Sequence, residues 1–446
     1  MQSIFTLFFL FAFVTATTLL GGTLGTARDI KGHTGYVYTA QWSPDGSKVL
    51  TASADESAIV WSSWTGAKLF TLSGHTHIVY SAQWSPDGSK IATCSADNTV
   101  RLWFTATGVK LHTLAGHIDI VTDVQWSPDG TKLASSSKDK SAIIWSASGT
   151  NLLSLKGHND EVTAVRWSPD GLKVVTASYD GTAKIWDATN GMLLFSLSGH
   201  TDQVPSVRWS PDGTKILTGS LDNTAIIWSA TTGAKLFTLQ GHTDYVNAAR
   251  WSPDGSKIAT ASLDKTAMIW TAASGTKIMT LIGHTDELVD ISWSPDGSKV
   301  ATASLDKTAR VWSVSTGTML GTFTGHTEAV NTVRWNWDGT QVLSASQDST
   351  ARIWLSADPS AVQEQTNQPL TPFSISPNPA NNSFTASFER ASILPTELNI
   401  SNLLGQTVAT SSIPSGVSEW RVMTDGLPTG MYVVRCGAWV RSLVVY

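Results

Sequence analysis

A Gly-His dipeptide that recurs at a nearly constant interval restricts the possible folds of this chain more than any other feature of the sequence. Its glycine stands at positions 32, 74, 116, 157, 199, 241, 283 and 325, so successive copies are 42 residues apart, with a single step of 41. A fixed period of this size is typical of arrays in which each supersecondary unit buries its apolar face against the next copy. The sequence therefore predicts eight copies of one structural unit.

Two tryptophans in each copy mark the strands of this unit. One follows the glycine by ten residues, and the other, from Trp61 to Trp354, follows it by 29. Between them lie a WSPDG turn in seven copies, or WNWDG in the eighth, and an apolar run such as KVLTAS. Proline and glycine favour a tight turn, and the β-branched flanks favour strands. Each copy is predicted to contain four strands, the last of them a segment such as KLFTL.

These motifs resemble the repeats of the WD-repeat β-propeller family over residues 26–354. In that family a buried hydrogen-bond chain of Asp, His, Ser or Thr, and Trp holds each blade. These residue types suit the role because an indole N–H only donates, a carboxylate only accepts, and hydroxyl and imidazole do both. A fully satisfied chain is buried at little cost. The resemblance assigns one set to each copy: His33, Ser53, Asp55 and Trp61; His75, Ser95, Asp97 and Trp103; His117, Ser137, Asp139 and Trp145; His158, Ser178, Asp180 and Trp186; His200, Ser220, Asp222 and Trp228; His242, Ser262, Asp264 and Trp270; His284, Ser304, Asp306 and Trp312; His326, Ser346, Asp348 and Trp354.

Two features depart from this resemblance. Only Trp186-Asp187 retains the dipeptide that names the family, although that Asp lies outside the buried chain. The WSPDG turn also resembles the repeats of TolB-type propellers. The Gly-His and Ser-x-Asp positions favour the WD-repeat family over this alternative.

The eighth copy lacks a fourth strand, because Trp354 is followed by the polar sequence LSADPSAVQEQTNQPLTPF. Residues 26–30 stand before the first Gly-His where KLFTL stands before later ones, so they are predicted to supply the missing strand. A closed ring leaves no complete sheet edge exposed. The sequence thus predicts an all-β fold, with an eight-bladed propeller over residues 24–356.

Charge and residue counts argue against several functions. Thirty Lys+Arg against 35 Asp+Glu, without a long basic run, disfavour a nucleic-acid partner. Cys94 and Cys436 cannot build a disulfide framework or a CxxC metal site. Eight of the ten histidines belong to the buried chains, and His77 and His112 are too few for a histidine-based catalytic site. The acids of the PDG turns lack the alternating ligands of a calcium loop. No cofactor or metal is expected, and the chain is predicted not to be an enzyme.

A candidate partner-binding surface follows from the resemblance. Partners of this family dock at the third and fifth positions after the Gly-His histidine and at the residue before the Asp of the buried chain. A contiguous aromatic and aliphatic patch is typical of an interface; the alternative is that some of these side chains are tucked into the tops of the blades. The positions select Tyr36, Tyr38, Ile78, Tyr80, Ile120, Lys138, Glu161, Tyr179, Leu221, Tyr245, Leu263, Glu287 and Leu305.

The N-terminal residues resemble a secretory leader. The apolar run IFTLFFLFAFV at 4–14 is short for the roughly 20 residues that span a bilayer, and Val14-Thr15-Ala16 has the small-residue spacing of a cleavage site. Residues 1–16 are therefore predicted to be a signal peptide, with cleavage as late as about residue 22 also open. The first three residues contain no Lys or Arg, so an uncleaved anchor is the alternative.

The composition changes again after a linker predicted at 357–371. Residues 372–446 resemble the type A-like C-terminal sorting domain of type IX secretion cargo, which implies a small β-sandwich. The terminal SLVVY lacks the closing Lys of many such tails, and a fibronectin-like accessory domain is the alternative. The motif residues, in the order and spacing of the family, are Pro377, Asn378, Pro379, Leu403, Gly405, Leu427, Gly430 and Tyr432.

Together these features predict an exported, non-enzymatic binding scaffold that captures a protein or glycan on one propeller face. It is expected to be a monomer, secreted or surface-attached by way of the periplasm, with no membrane span after processing. The secretion machinery is its second expected partner, through the C-terminal domain. The alternatives are an intracellular scaffold, which the leader and the tail oppose, and a secreted hydrolase that uses carboxylates such as Glu161 and Glu287.

Overall fold

The structure is a computed structural model that divides into two compact units, Met1–Pro359 and Ser360–Tyr446. It describes residues 27–356 of the first unit and residues 373–376, 383–388, 396–401, 407–413, 419–424, 427, 430–436 and 439–445 of the second. The predicted signal peptide at 1–16 and the predicted linker at 357–371 lie outside these described residues.

The described residues of the first unit form eight four-stranded antiparallel sheets, which confirms the predicted eight-bladed propeller. In seven blades the strands pair in chain order. The strands of blades 1 to 4 are β2 (Val37–Trp42), β3 (Lys48–Ser53), β4 (Ala58–Ser62) and β5 (Lys68–Leu72); β6 (Val79–Trp84), β7 (Lys90–Ser95), β8 (Thr99–Phe104) and β9 (Lys110–Ala115); β10 (Val121–Trp126), β11 (Lys132–Ser137), β12 (Ser141–Ser146) and β13 (Asn151–Lys156); β14 (Val162–Trp167), β15 (Lys173–Ser178), β16 (Thr182–Asp187) and β17 (Leu193–Ser198).

The strands of blades 5 to 8 are β18 (Ser206–Trp209), β19 (Lys215–Gly219), β20 (Ala225–Ser229) and β21 (Lys235–Leu239); β22 (Val246–Trp251), β23 (Lys257–Ser262), β24 (Thr266–Thr271) and β25 (Lys277–Ile282); β26 (Leu288–Trp293), β27 (Lys299–Ser304), β28 (Ala309–Ser313) and β29 (Met319–Phe323); β30 (Val330–Trp335), β31 (Gln341–Ser346) and β32 (Thr350–Leu355), with β1 (Ala27–Lys31).

The eighth blade takes its outer strand from the other end of the ring. Strand β1 pairs antiparallel with β32, in a register that places Ala27 opposite Trp354 and Lys31 opposite Thr350. The carboxylate of Asp29 also lies 3.2 Å from Nε of Arg352. Because β32 would otherwise present an unpaired edge, this pairing closes the ring.

Burial within a blade explains which segments form the inner strands. All residues of β3 after Lys48 are buried, in keeping with the continuous apolar run VLTAS, because this strand is covered by neighbouring blades on both sides. The outer strand β5 buries Leu72 and exposes most of its other side chains. The apolar cores therefore lie between blades: the layer that contains Ile30 and Ile353 of blade 8, for example, also contains Val37 and Trp61 of blade 1.

The inner tryptophan of each copy, ten residues after the glycine, joins neighbouring blades. In six blades its Nε1 donates to a backbone carbonyl oxygen of the preceding blade at 3.1–3.4 Å, as Trp209 does to Arg166. These tryptophans are largely buried, so each supplies both a large apolar contact and a directional bond.

The PDG turns also pack blade against blade. In the first turn, Gly46 has φ +70° and its N–H donates to the carbonyl of Ser43, while Asp45 accepts from the hydroxyls of Ser43 and Ser47. A Cβ on Gly88 would lie 3.7 Å from Pro44 of the preceding turn. At the closing junction a Cβ on Gly46 would instead lie 2.6 Å from the indole of Trp337, the residue that replaces proline in WNWDG.

The described residues of the second unit form two antiparallel sheets. The first has the order β33 (Phe373–Ser376), β34 (Ser383–Phe388) and β37 (Glu419–Met423), and the second has the order β36 (Thr407–Ile413), β35 (Thr396–Ser401), β38 (Gly430–Cys436) and β39 (Trp439–Val445). Its described side chains include buried apolar groups from both sheets, among them Ala386, Leu398 and Val434, as the predicted β-sandwich requires. Of the sorting motifs, Pro377, Asn378, Pro379, Leu403 and Gly405 lie outside the described residues, whereas Tyr432 is buried on β38.

Candidate functional site

A buried hydrogen-bond chain crosses every blade. In blade 1, Nδ1 of His33 lies 2.7 Å from the Asp55 carboxylate, its Nε2 lies 2.7 Å from Oγ1 of Thr51, and Nε1 of Trp61 donates to that same Oγ1 at 2.8 Å. The backbone N–H of Thr34 also donates to Asp55. The chain therefore ties the loop before the first strand to the second and third strands of its blade.

The hydroxyl in this chain differs from the prediction. The residue that joins His33 to Trp61 is Thr51, whereas Ser53 donates to the Gly35 carbonyl and accepts the Asp55 N–H. Residues 51 and 53 share one face of β3 because strand side chains alternate, so the sequence pattern alone does not separate them. The joining hydroxyls are Thr51, Thr93, Ser135, Thr176, Thr218, Thr260, Thr302 and Ser344, and the predicted serines that are not part of this link are Ser53, Ser95, Ser137, Ser178, Ser220, Ser262, Ser304 and Ser346.

The electrostatics of the chain favour a neutral imidazole bonded to an ionised carboxylate. Burial lowers the pKa of His75, His158, His200 and His284, and it outweighs the opposing effect of the neighbouring aspartates. Burial acts to raise the pKa of Asp180, but hydrogen bonds from Thr182, from the backbone of residue 159 and from His158 lower it to about 2. The donors and acceptors are thus satisfied within the blade, which gives these chains an architectural role.

The predicted partner-binding positions lie together on what we call the mouth face, formed by the loops before the first strands and the turns between second and third strands. Within a blade, two of the positions are joined directly: the N–H of Lys138 donates to the Ile120 carbonyl at 2.9 Å, and that of Tyr179 donates to Glu161 at 3.0 Å. The same bond joins Leu263 to Tyr245 and Leu305 to Glu287, and Leu221 to the carbonyl of residue 203.

Contacts between blades assemble part of this face into one cluster, the mouth cluster, which consists of Tyr36, Tyr38, Tyr80, Lys138, Glu161 and Tyr179. The rings of Tyr38 and Tyr80 lie 5.3 Å apart at an angle of 53°. Burial raises the pKa of Tyr38, and nearby Tyr80 and Tyr36 raise it further. Lys138 forms an ion pair with Glu161 at 3.0 Å and lies close enough to Tyr80 and Tyr179 to interact with both.

Exposure varies across the predicted positions. Tyr36 is 51% exposed and Tyr245 is 41% exposed. The others, including Ile78, Leu221, Leu263, Glu287 and Leu305, are half buried. Side chains in this state are accessible at their ends while their bodies pack on the blades.

The opposite side of the ring, which carries the PDG turns and which we call the turn face, contains a set of residues that the sequence analysis missed. A cavity of about 740 Å³ there is lined by inner tryptophans, turn prolines, Gln41, Gln83, Gln125 and three arginines, Arg166, Arg208 and Arg250. These polar residues immediately precede the inner tryptophans. Their recurrence as Gln-Trp and Arg-Trp pairs was the available signal in the sequence.

Neither a metal centre nor a membrane-spanning helix is present in the part of the chain that the structure describes. No group of three or more His, Cys, Asp or Glu among the described residues is arranged to hold a metal ion. In the same part of the chain, no helix is long and apolar enough to cross a membrane.

A closed ring of eight blades built from one repeated unit, each with its own His-Asp-hydroxyl-Trp chain, defines a repeat propeller. The family described as WD domain, G-beta repeat matches residues 25–62, 66–103, 108–146, 149–187, 191–229, 233–271, 275–313 and 317–354, and the chain belongs to this family. Among solved structures, the computationally designed Ika8 protein is similar, with 26% identity and a TM-score of 0.68 over 75% of this chain and 100% of that chain. No curated protein matches the sequence.

The C-terminal unit matches a second family. The secretion system C-terminal sorting domain matches residues 374–443, which confirms the resemblance to type IX secretion cargo. This domain identifies the chain as an exported propeller protein of the cell surface or the extracellular space.

Proposed function

We propose that this protein is an exported, non-enzymatic scaffold that binds another protein through the mouth cluster. The observation that carries the proposal is the contact between Tyr38 and Tyr80, which join two blades into one aromatic surface beside the exposed Tyr36. Tyrosines contribute disproportionately to protein interfaces because they bury a large area and keep a polar end.

The composition around these rings favours a protein over a glycan. Ile78 and Ile120 hold the position of Tyr36 in blades 2 and 3. Lys138 and Glu161 add charges of both signs. An apolar centre with a charged rim is the usual anatomy of a protein interface.

The contacts of Glu161 and of the histidines support a binding role over hydrolysis. Glu161 is held by the ammonium of Lys138, and the eight histidines of the buried chains are used within their blades. The sorting domain likewise opposes the intracellular alternative. We further propose that residues 1–16 are removed on export, which mass spectrometry of the N-terminus of the secreted protein tests, and that 357–371 links the two units.

The test of the binding surface compares the purified exported protein with a Tyr38→Ala, Tyr80→Ala double variant. Both are used as bait for the proteins of the producing cell's surface and medium, and Trp64→Ala is the control because Trp64 is 76% exposed and lies outside the mouth cluster. The proposal expects a partner that the wild type and the control retain and the double variant loses. Equal retention of the partner by the wild type, the control and the double variant would contradict the proposal. Selective binding of a polysaccharide would show that the partner is a glycan and not a protein.

A further inference from the structure

The turn-face cavity contains an unusual distribution of charge. The position before the inner tryptophan is arginine in blades 4, 5, 6 and 8, as Arg166, Arg208, Arg250 and Arg334. Two aspartates on the inner strands of other blades oppose them, Asp123 on β10 of blade 3 and Asp290 on β26 of blade 7. Asp123 pairs with Arg166, and Asp290 pairs with both Arg250, at 3.0 Å, and Arg334. Three of the four guanidinium groups therefore share these two carboxylates.

Arg208 is the arginine without a carboxylate. Among the described residues it forms no ion pair, and its Nη1 donates to the carbonyl of Val207 at 2.9 Å. The two aspartates each pair with an arginine of an adjacent blade, but the equivalent positions beside Arg208 are Ala164 and Ala248. The sequence thus places a partner beside the other three arginines and apolar residues beside this one.

A guanidinium group that has no ion-pair partner is costly in the partly buried position of Arg208. The walls of the propeller surround Arg208, and it is only partly exposed, towards the cavity that it lines. Burial lowers the pKa of Arg208 well below its usual value, and Arg166, Arg250 and Arg334 lower it further, while the charge of Asp123 opposes these effects without outweighing them. A buried charge normally has a partner.

We propose that the turn-face cavity binds a small molecule that carries a tetrahedral oxoanion, a phosphoryl or sulfuryl group, with Arg208 as its main ligand. Guanidinium groups present paired donors in a plane that match two oxygens of such an anion. The glutamines at the same position of blades 1 to 3 add neutral donors on the other side of the cavity.

The size of the cavity indicates more than a bare ion. A volume of about 740 Å³ is within the range of small-molecule sites, and inner tryptophans with turn prolines supply an apolar lining. The anionic group would occupy the arginine side while the rest of the molecule packs on these rings. This site is on the opposite face from the mouth cluster, so the inference stands independently of the proposed protein partner.

The experiment measures the thermal unfolding and the calorimetric binding of the full exported protein with inorganic phosphate, inorganic sulfate and pyrophosphate, each compared with chloride at equal ionic strength. Phosphate or sulfate is expected to raise the melting temperature. The anion that gives the larger increase indicates whether the natural ligand is phosphorylated or sulfated. Acetate tests whether a carboxylate binds equally well. No shift with any tetrahedral anion, or an equal shift with acetate, would overturn the proposal.

Arg208→Gln is the decisive variant, because the chain itself has glutamine at this position in Gln41, Gln83 and Gln125. It is expected to bind the anion about tenfold more weakly or worse, since a charge-assisted hydrogen bond is lost. Lys132→Gln removes the same charge next to a PDG turn outside the cavity lining and should bind as the wild type does. Unchanged affinity in Arg208→Gln would overturn the assignment.

Asp123→Asn should change the anion affinity in the opposite direction to Arg208→Gln. It removes the carboxylate that Arg166 uses and is expected to tighten anion binding severalfold, because a second guanidinium becomes available. Weaker or unchanged binding in this variant would contradict a site in which carboxylates and the ligand compete for the same arginines.

Discussion

The indole Nε1 of Trp42 donates a hydrogen bond to the backbone carbonyl oxygen of Arg334 at 3.3 Å, which joins positions 292 residues apart. At the rim of the same junction, β1 completes the sheet of β32. The ring is therefore closed at its inner strands by a bond that elsewhere connects consecutive blades, and at its outer edge by a strand pairing that elsewhere lies within one blade.

This closure predicts that the N-terminal strand contributes as much to stability as a strand within the repeats. Ile30 is 1% exposed in the layer between blades 8 and 1, and Leu72 holds the same position in blade 1 with 0% exposure. Ile30→Ala and Leu72→Ala should each lower the free energy of unfolding by about 2–5 kcal/mol. Urea unfolding measures both, and a negligible cost for Ile30→Ala alone would show that the closing strand is dispensable.

The hydroxyl at Thr51 should matter because it accepts from Trp61 and bonds His33. Thr51→Val keeps the shape but leaves buried polar groups without partners, at a cost of about 1–3 kcal/mol. Thr51→Ser is the matched control, because Ser135 and Ser344 serve the same role in other blades. Equal urea midpoints for the two variants would show that the link contributes little.

The buried chains and the turn-face cavity show how much of the structure could be predicted from the sequence. Blade number followed from the period, and the His, Asp and Trp of each chain followed from the resemblance to WD repeats, whose motif recurs at the same point of every copy. Thr51 was missed because it shares a strand face with Ser53. Arg208 was missed because its isolation depends on Ala164 and Ala248 of the flanking blades, a relation that exists only once the ring is assembled.

Trp337 at the closing junction predicts a difference between two otherwise equivalent glycines. Gly46 and Gly88 both have φ +70°, so alanine is strained by about 1–2 kcal/mol at either position. A Cβ at Gly46 would also lie 2.6 Å from Trp337, against 3.7 Å from Pro44 for Gly88. Gly46→Ala should therefore have the lower melting temperature. This difference in melting temperature between the two variants should disappear when Trp337 is replaced by proline. A difference that persists would show that Trp337 is not its cause.

The sorting domain predicts that export depends on the C-terminal unit. Removal of residues 374–443 should leave the propeller inside the cell envelope, whereas the full chain reaches the surface or the medium. Fractionation and immunoblotting measure the distribution, with the Arg208→Gln chain, which retains the tail, as a control for normal export. Efficient release of the truncated chain would show that the propeller has another route.

The buried chains predict a loss of stability as the pH falls. The pKa of His75, His158, His200 and His284 is lowered in the folded protein, so the unfolded chain takes up protons first as the pH falls below about 6.5. The folded-state pKa of Asp180 is about 2, below its unfolded value of about 3.9, so its contribution is present above that value and is lost as the pH falls towards 2. Both effects therefore lower the free energy of unfolding as the pH falls.

The urea midpoint, followed by tryptophan fluorescence, should therefore decrease from pH 7.5 to pH 5 and decrease again below about pH 4. Asp180→Asn, which removes one of the carboxylates, should reduce the second decrease but leave the first in the other blades. A midpoint that rises between pH 7.5 and pH 5 would mean that the histidines become charged within the blades, and would contradict the neutral imidazole that burial favours.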